Sequence, residues 1–556
     1  MNPRVLGAVC AALLVISSAG CPAKKDAPGA GPSPEPSSPE PSSPESPAAN
    51  HETVLPFDGM ALSPTTTPAL LAVIAESREH LDLESTSPSQ ALAVKATETA
   101  PTSVLAWLNR ADVAISADDV ALATARARAL FDAQKGTATP AERLLLEVRE
   151  ARQVGDTDKA LAAAEALVAL APTSPESHLV ASRIHALRGE DERARTTAMK
   201  ALELAPDSLG AHALLGESYT FREPRDLARA EHHFKKTVEL RPGIAATYVS
   251  LGDVYRAGLD LEAASEQYGK AMAADPGYPV SSVKRGHVNS FLGHHDQARA
   301  DYDKGIAVGE PRIALSLSNY RAFVSAHAGK PEDAIAELKA LHDKVLAAGL
   351  PASEQHELET YTLGNRAIIA LLVADMATGR LAGKPPGKPD GKPASENSGN
   401  ALQTAVAAVT ELIETYQRIA SETRDPHDKH TANGLAAYWK SRRHLARGEL
   451  EPALEQARSH HDLVEADSNP RKFESYHELL GLIALARGQY GDAIEHLRQA
   501  DLQSEVFARY HLAIALDSSG QSDEARKLFR EVADHNFNSA DYAVLRKLAR
   551  ERAGGK

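Results

Sequence analysis

Along the chain, runs of apolar residues at helical spacing are broken by glycine, proline, serine or aspartate, and the breaks return at a regular distance. Small residues keep time with them. Alanine recurs at Ala123, Ala160, Ala194, Ala230, Ala264, Ala298 and Ala334, in steps of 37, 34, 36, 34, 34 and 36 residues. A period near 34 is long enough for two helices and their turns, so the pattern predicts a succession of antiparallel helix pairs beginning at Val104. Residues 352 to 380 and 401 to 421 then predict two longer helices. The stretch "AGKPPGKPDGKPASENSGN" between them lacks the apolar residues to pack and predicts a flexible loop at 382–400. The period resumes at Gly434, Glu474 and Val506. Residues 539 to 550 predict a helix capping the array, and a partial unit at 70 to 103 opens it.

The clearest unit is "AATYVSLGDVYRAGLDLEAASEQYGKAMAADPGY", residues 245 to 278. It resembles the tetratricopeptide repeat: Tyr248 stands at the Trp-like position, Leu251-Gly252 at the Leu-Gly pair, and Tyr255 at the following aromatic position. Ala264, Tyr268, Ala271 and Pro276 follow in register. Glycine and alanine at those places let two helices approach closely, the aromatic rings fill the space between layers, and proline ends the second helix because it lacks an amide hydrogen. Ten units can be registered, over about two-thirds of the chain. The resemblance implies an all-α fold, a right-handed solenoid of antiparallel helix pairs, with an irregular helical middle segment. It also implies a concave face, lined by the first helix of each unit, that receives a peptide or helix of a partner protein. The register places Ser250, Asp253, Arg256, Lys284, His287 and Asn319 on or near that face. Lys284 and Asn319 suggest the family's clamp for a chain terminus, although its full pattern is missing.

Composition fits helices packed on helices. Aromatic residues make up 5% of the chain and alanine is abundant, whereas pleated sheets favour β-branched and aromatic side chains. The formal charge of −14 argues against non-specific nucleic-acid binding, which needs lysine and arginine to displace counterions from phosphates.

Upstream of the array, Val5 to Ile16 is an apolar run of about a dozen residues behind Arg4, too short for a membrane-spanning helix of roughly 20. It reads as a signal peptide, residues 1–20. Ser18-Ala19-Gly20-Cys21 resembles the lipobox of bacterial lipoproteins, which implies cleavage before Cys21 and acylation of its sulfur. The other cysteine, Cys10, lies in the apolar run. Pro22 is not the aspartate that retains many such proteins in the inner membrane, so the outer membrane is the expected site. "PAKKDAPGAGPSPEPSSPEPSSPESPAAN" behind the anchor reads as an extended tether, and residues 21–67 are assigned to it. Two arrays are expected, at 68–343 and 434–556, flanking the irregular segment 344–433.

No catalytic residue, cofactor or metal ligand is assigned. "GRLAGKPP" has Thr378 and Pro385 where a phosphate loop needs Gly and Ser or Thr, and "HELLG" ends in glycine where a zinc helix needs histidine. "DPHDKH", Asp425 to His430, is the best local cluster of metal-ligating types. The expected function is a non-enzymatic scaffold or assembly factor of a bacterial envelope. The alternatives are a ligand- or polysaccharide-binding protein, or an enzyme with its site within 344–433.

Overall fold

The computed structural model describes residues 57–554 apart from 84–85, 135, 383–395, 466 and 468. The expected signal peptide, Cys21 and most of the tether and of the Gly-Lys-Pro loop lie outside the described residues. All regular structure among the described residues is helical, with no strand. The chain forms two compact units, one ending at Ser250 and the other running from Leu251 to Lys556. The boundaries expected at 343 and 433 fall inside the second. None of the described helices is long and apolar enough to cross a membrane.

The first unit contains α1 (Pro68–Asp82), α2 (Thr86–Thr99), α3 (Val104–Val113), α4 (Ala117–Ala133), α5 (Pro140–Gln153), α6 (Thr157–Leu170), α7 (Pro175–Leu187), α8 (Asp191–Leu204), α9 (Leu209–Phe221) and α10 (Leu227–Leu240). After α11 (Ala245–Ala257), within which the division falls, come α12 (Leu261–Ala274), α13 (Pro279–Leu292), α14 (His295–Val308), α15 (Pro311–His327) and α16 (Pro331–Ala347). The long pair α17 (Ala352–Thr378) and α18 (Glu396–Glu422) follows. The chain then forms α19 (Pro426–Ala446), α20 (Leu450–Val464), α21 (Glu474–Ala486), α22 (Tyr490–Leu497), α23 (Val506–Ser518), α24 (Ser522–Ala533) and α25 (Ala540–Arg552).

One local device builds most of the helix pairs. The first helix ends at a left-handed residue, glycine at Gly155, Gly189, Gly293, Gly329, Gly448, Gly488 and Gly520. The amide of the next residue bonds back to the carbonyl five residues earlier, as in Asp156 to Ala151, Glu190 to His185 and Lys330 to Ser325. That bond satisfies a carbonyl the helix end would leave orphaned. The donor residue then opens the second helix, and Asp156 caps it by accepting from the Lys159 amide. At the pair within 245–278 the left-handed place falls to Leu259, φ 63°, with no glycine to relieve the strain.

Close packing follows the small residues. A methyl group at Gly252 would stand 2.6 Å from the Tyr268 ring, and one at Gly216 would stand 2.6 Å from Phe234. Only glycine admits those rings. Ala230, Ala264, Ala298 and Ala334 are all fully buried. In the segment expected to be irregular, α17 and α18 pack through Leu363, Ala367, Leu371, Ala405, Val409 and Leu412. The alternation of paired helices therefore continues through it in longer form. α19 starts at Pro426, ahead of the expected Gly434, because Asp425 accepts from the His427 and Asp428 amides and caps it there.

Two expectations about the ends are corrected. Residues 57 to 67, assigned by composition to the tether, are packed into the first unit, where Phe57, Met60 and Ser63 are buried. Three well-spaced apolar side chains in that stretch, Phe57, Met60 and Leu62, supply the burial that the Pro/Ser-rich run before them lacks. The helix α25, expected as a terminal cap, instead packs against α15, α17 and α23.

Candidate functional site

In each unit the inner face of the repeats is covered by a terminal segment of the same unit. In the first, residues 57 to 82 cross the first helices of successive pairs. Ser63 donates from its hydroxyl to Glu142 on α5 at 2.6 Å. Arg78 pairs with Glu176 on α7 and, at 3.3 Å, with Asp112 on α3, and Asp82 accepts from Arg183 on α7 at 2.7 Å. Asp82 presses so closely on α9 that a methyl group at Gly210 would lie 2.4 Å from its carboxylate.

In the unit from Leu251 to Lys556 the covering segment is residues 536 to 552. Arg256 on α11 donates to the Asn536 carbonyl at 2.7 Å, and Asn536 returns a bond to the Arg256 carbonyl. Asn538 is 2% exposed and uses its whole amide. Its nitrogen donates to the Tyr302 hydroxyl at 3.0 Å and to His287 Nδ1 at 3.1 Å, and its oxygen accepts from His327 Nε2 at 2.9 Å. The bond accepted by His287 Nδ1 requires a neutral imidazole there, whereas His327 donates in either charge state. Burial, reinforced by Arg256 and Lys284, pushes His287 down to about 3, and burial with Arg546 nearby holds His327 at about 3. Tyr542 follows, 1% exposed, with its ring edge-on to Phe291 at 5.3 Å, and Arg546 donates to the Phe291 carbonyl at 2.6 Å.

The residues the sequence placed on the inner face are therefore engaged in internal contacts. Lys284 pairs with Asp253, which also accepts from the Tyr268 hydroxyl at 2.7 Å. Asn319, fully buried, donates to Thr362 at 3.3 Å and accepts from Asn365 at 3.2 Å. Ser250 bonds the Ala246 carbonyl of its own helix. Lys284 and Asn319 are thus each held by partners within the chain.

Beyond the first turn of α25 the inner face is open. A cavity of about 710 Å³ lies there, lined by α17, α19, α20, α21 and α23, by the connection between α20 and α21, and by Ser539, Ala540 and Asp541. Tyr438, Trp439 and Phe507 form its aromatic wall. Arg442 sits 4.3 Å from the Phe507 ring centroid and donates to Glu478 at 3.0 Å and to the Tyr438 hydroxyl at 2.8 Å. His427 and His430, from the "DPHDKH" cluster, stand at the cavity, and His430 is bonded to the Pro426 carbonyl. Among the described residues no group of three or more His, Cys, Asp or Glu is placed to hold a metal ion.

The carboxyl groups at the α25 end carry the electrostatic strain. Glu478 is raised by burial in spite of Arg442, and burial likewise raises Asp541, whose contacts are neutral donors, the Ser539 hydroxyl and the Phe507 and Tyr542 amides. Glu505 is an exposed residue that lines the cavity, with its carboxyl drawn partly out of water. Burial, followed by repulsion from Asp541 and Glu478, pushes its carboxyl up to about 8. Among the described residues no hydrogen bond or ion pair reaches that carboxyl group. Sequence reasoning pointed only to part of it, the segment 344–433 with its DPHDKH cluster, because the remaining walls come from α20, α21, α23 and the start of α25.

The comparisons with known proteins bear on the repeats. The sequence matches the tetratricopeptide repeat family over residues 145–208 and 484–548. The chain carries tetratricopeptide repeats. Solved structures of that repeat fold are similar to it. The type IV pilus biogenesis factor PilW is 18% identical, with 39% of this chain and 96% of that one covered at a TM-score of 0.31. MamA from Desulfovibrio magneticus RS-1 is 22% identical over 31% of this chain and 96% of its own, at 0.28. A tetratricopeptide repeat protein from Parabacteroides merdae is 14% identical over 53% and 99%, at 0.29. No curated protein matches the sequence.

Proposed function

We propose that this protein is an exported scaffold of a bacterial envelope, held at the outer membrane by lipid on Cys21, and that it binds a partner protein at the open end of its inner face. The observation that carries the reading is the cavity lined by α17, α19, α20, α21 and α23, which the chain's own C-terminal segment borders and does not fill. Repeat arrays present side chains from successive first helices to one extended ligand, and here four such helices line the cavity together with α20 and the start of α25. Several acyl chains on one cysteine add about 0.8 kcal/mol for each methylene buried, enough for stable attachment.

Crosslinking of the tagged full chain in intact envelopes tests the reading, with a Thr431→Trp variant that fills the cavity beside it. A stoichiometric partner captured by the wild type and lost in the variant is the expected result. No enriched protein, or a partner retained equally by the variant, refutes binding at this site. Cys21→Ala is expected to leave the washed membrane fraction, and its persistence there removes the anchor from the proposal.

A second reading is favoured by the raised carboxyl groups of Glu478, Glu505 and Asp541. They suit a cavity that binds a small polar ligand, and a melting-temperature screen of the full chain against sugars and amines tests it.

A further inference from the structure

We propose that the groove between the second helices α16 and α18 receives a helix of a partner protein, and that an aspartate or glutamate on that helix meets Arg366. This surface is separate from the inner cavity described above. Along α17, Asn365 and Ile368 line the cavity, whereas Arg366, Ala370 and Val373 line the groove.

The groove has a volume of about 1180 Å³, with α17 as its floor. From Arg366 to Ala377 that floor runs about 16 Å, roughly three turns of helix. Small side chains line all three walls. Ala336 on α16, Ala377 on α17 and Ala407 on α18 are exposed, and Ala401 is half-buried. With no long side chains in the way, a guest helix can settle against the trough and send one residue per turn to its floor.

Arg366 decides which residue that is. It is 5% exposed, and its Nη2 pairs with Glu411, whereas its Nη1 is buried and finds no acceptor among the described residues. A buried N–H without an acceptor weakens the fold, and an oxygen brought by a guest returns that loss to binding. Charge makes the oxygen a carboxylate's. Because α16 and α18 both run antiparallel to α17, Lys339 and Glu411 stand at the Arg366 end of the groove. Glu411 also lies 3.2 Å from His342 Nδ1, and among the described residues no hydrogen bond or ion pair reaches Lys339. Two full positive charges therefore face one carboxylate, and the other acid of the walls, Glu332, lies two turns earlier on α16. An arriving carboxylate meets both cations, and the planar guanidinium suits its two oxygens. The trough is open along its length, so it suits a carboxylate borne on a helix better than a small free acid, which would leave the alanine walls bare.

The test is selection, on the full chain, of a displayed library in which one helix face of a stable helical scaffold is randomised. Arg366→Met and Ala336→Trp are run in parallel, with Thr431→Trp as the variant that fills the inner cavity. Methionine keeps an apolar stem and leaves Glu411 beside His342, and circular dichroism checks the fold. Ala336→Trp fills the groove from an exposed position, so it tests docking even where Arg366→Met unfolds. The expected result is a set of helices sharing one aspartate or glutamate, each binding at least about tenfold more weakly to both groove variants and unchanged on Thr431→Trp. Replacing the shared acid by its amide should cause a similar loss. Helices with no shared acid, or with equal affinity for a folded Arg366→Met, overturn the carboxylate assignment. Helices lost in Thr431→Trp and kept in Ala336→Trp belong to the inner cavity; that result, or no enrichment at all, overturns docking at the groove. Competition by free succinate or decanoate as strong as by the selected helix makes this a small-acid site and overturns the partner assignment. Self-association of the full chain that Ala336→Trp abolishes does the same in favour of a second copy.

Discussion

Replacing Tyr542 by alanine distinguishes a helix that caps an array from one that forms its interior. The Tyr542 ring is 1% exposed and makes edge contacts with Phe291 at 5.3 Å, His535 at 5.3 Å and His327 at 6.0 Å. Its hydroxyl donates to the Ala533 carbonyl at 3.1 Å and accepts from Arg546 at 2.9 Å. Deleting a fully buried aromatic ring costs about 3–5 kcal/mol in lost transfer energy and cavity formation. Tyr542→Phe keeps the ring and loses only the hydroxyl's bonds, for about 1 kcal/mol. The assay is urea unfolding of the full chain in a Trp107→Phe background, so that fluorescence reports Trp439 alone. An alanine variant whose Trp439 transition moves by less than about 1 kcal/mol refutes the reasoning, because α25 would then be a dispensable cap. Equal losses from alanine and phenylalanine would place the energy in the hydroxyl network and refute the packing argument.

The corresponding lock in the first unit is Arg78, and Arg78→Met leaves Glu176, 1% exposed, buried with only its longer 3.4 Å pairing to Arg183. A cost of about 3–5 kcal/mol is expected, read by Trp107 in a Trp439→Phe background, and Glu176→Gln in the same chain should recover part of it. Leu259→Gly should stabilise by about 1 kcal/mol in thermal unfolding, since it relieves a left-handed φ of 63° that costs leucine strain. Gly293→Ala, at φ 84°, should destabilise by a similar amount. For acid, His287 and His327 titrate at about 3 in the folded chain against 6.5 unfolded, so their contribution is whole above pH 6.5. It is lost as pH falls from 6.5 toward 3, by up to about 1.4 kcal/mol per pH unit for each histidine. Urea midpoints at pH 7.5 and 5.5 check this, and His327→Gln should flatten the dependence.

The repeating helix pair was fully legible in the sequence, because every feature that makes it is local. Gly155, Gly189 and Gly329 mark left-handed turns, Ala230 and Ala264 mark close approach, and the 34-residue step keeps both in register. The repeat register marked Gly252 as a place of close approach and Tyr268 as a space-filling ring, and the structure set the one against the other. What covers the inner face could not. Residues 57 to 82 and 536 to 552 carry no motif announcing their destination, and the bonds that seat them join Ser63 to Glu142, Arg78 to Glu176 and Asn538 to His287 across long stretches of chain. The same holds for Lys284 and Asn319: the register expected them on or near the inner face, and only the structure showed their contacts with Asp253 and Thr362. A period of 34 residues dictates which side of a helix faces inward. Only the tertiary structure, by bringing each unit's terminal segment back across that side, decided how much of it remains open and left Glu505 facing a cavity with no partner.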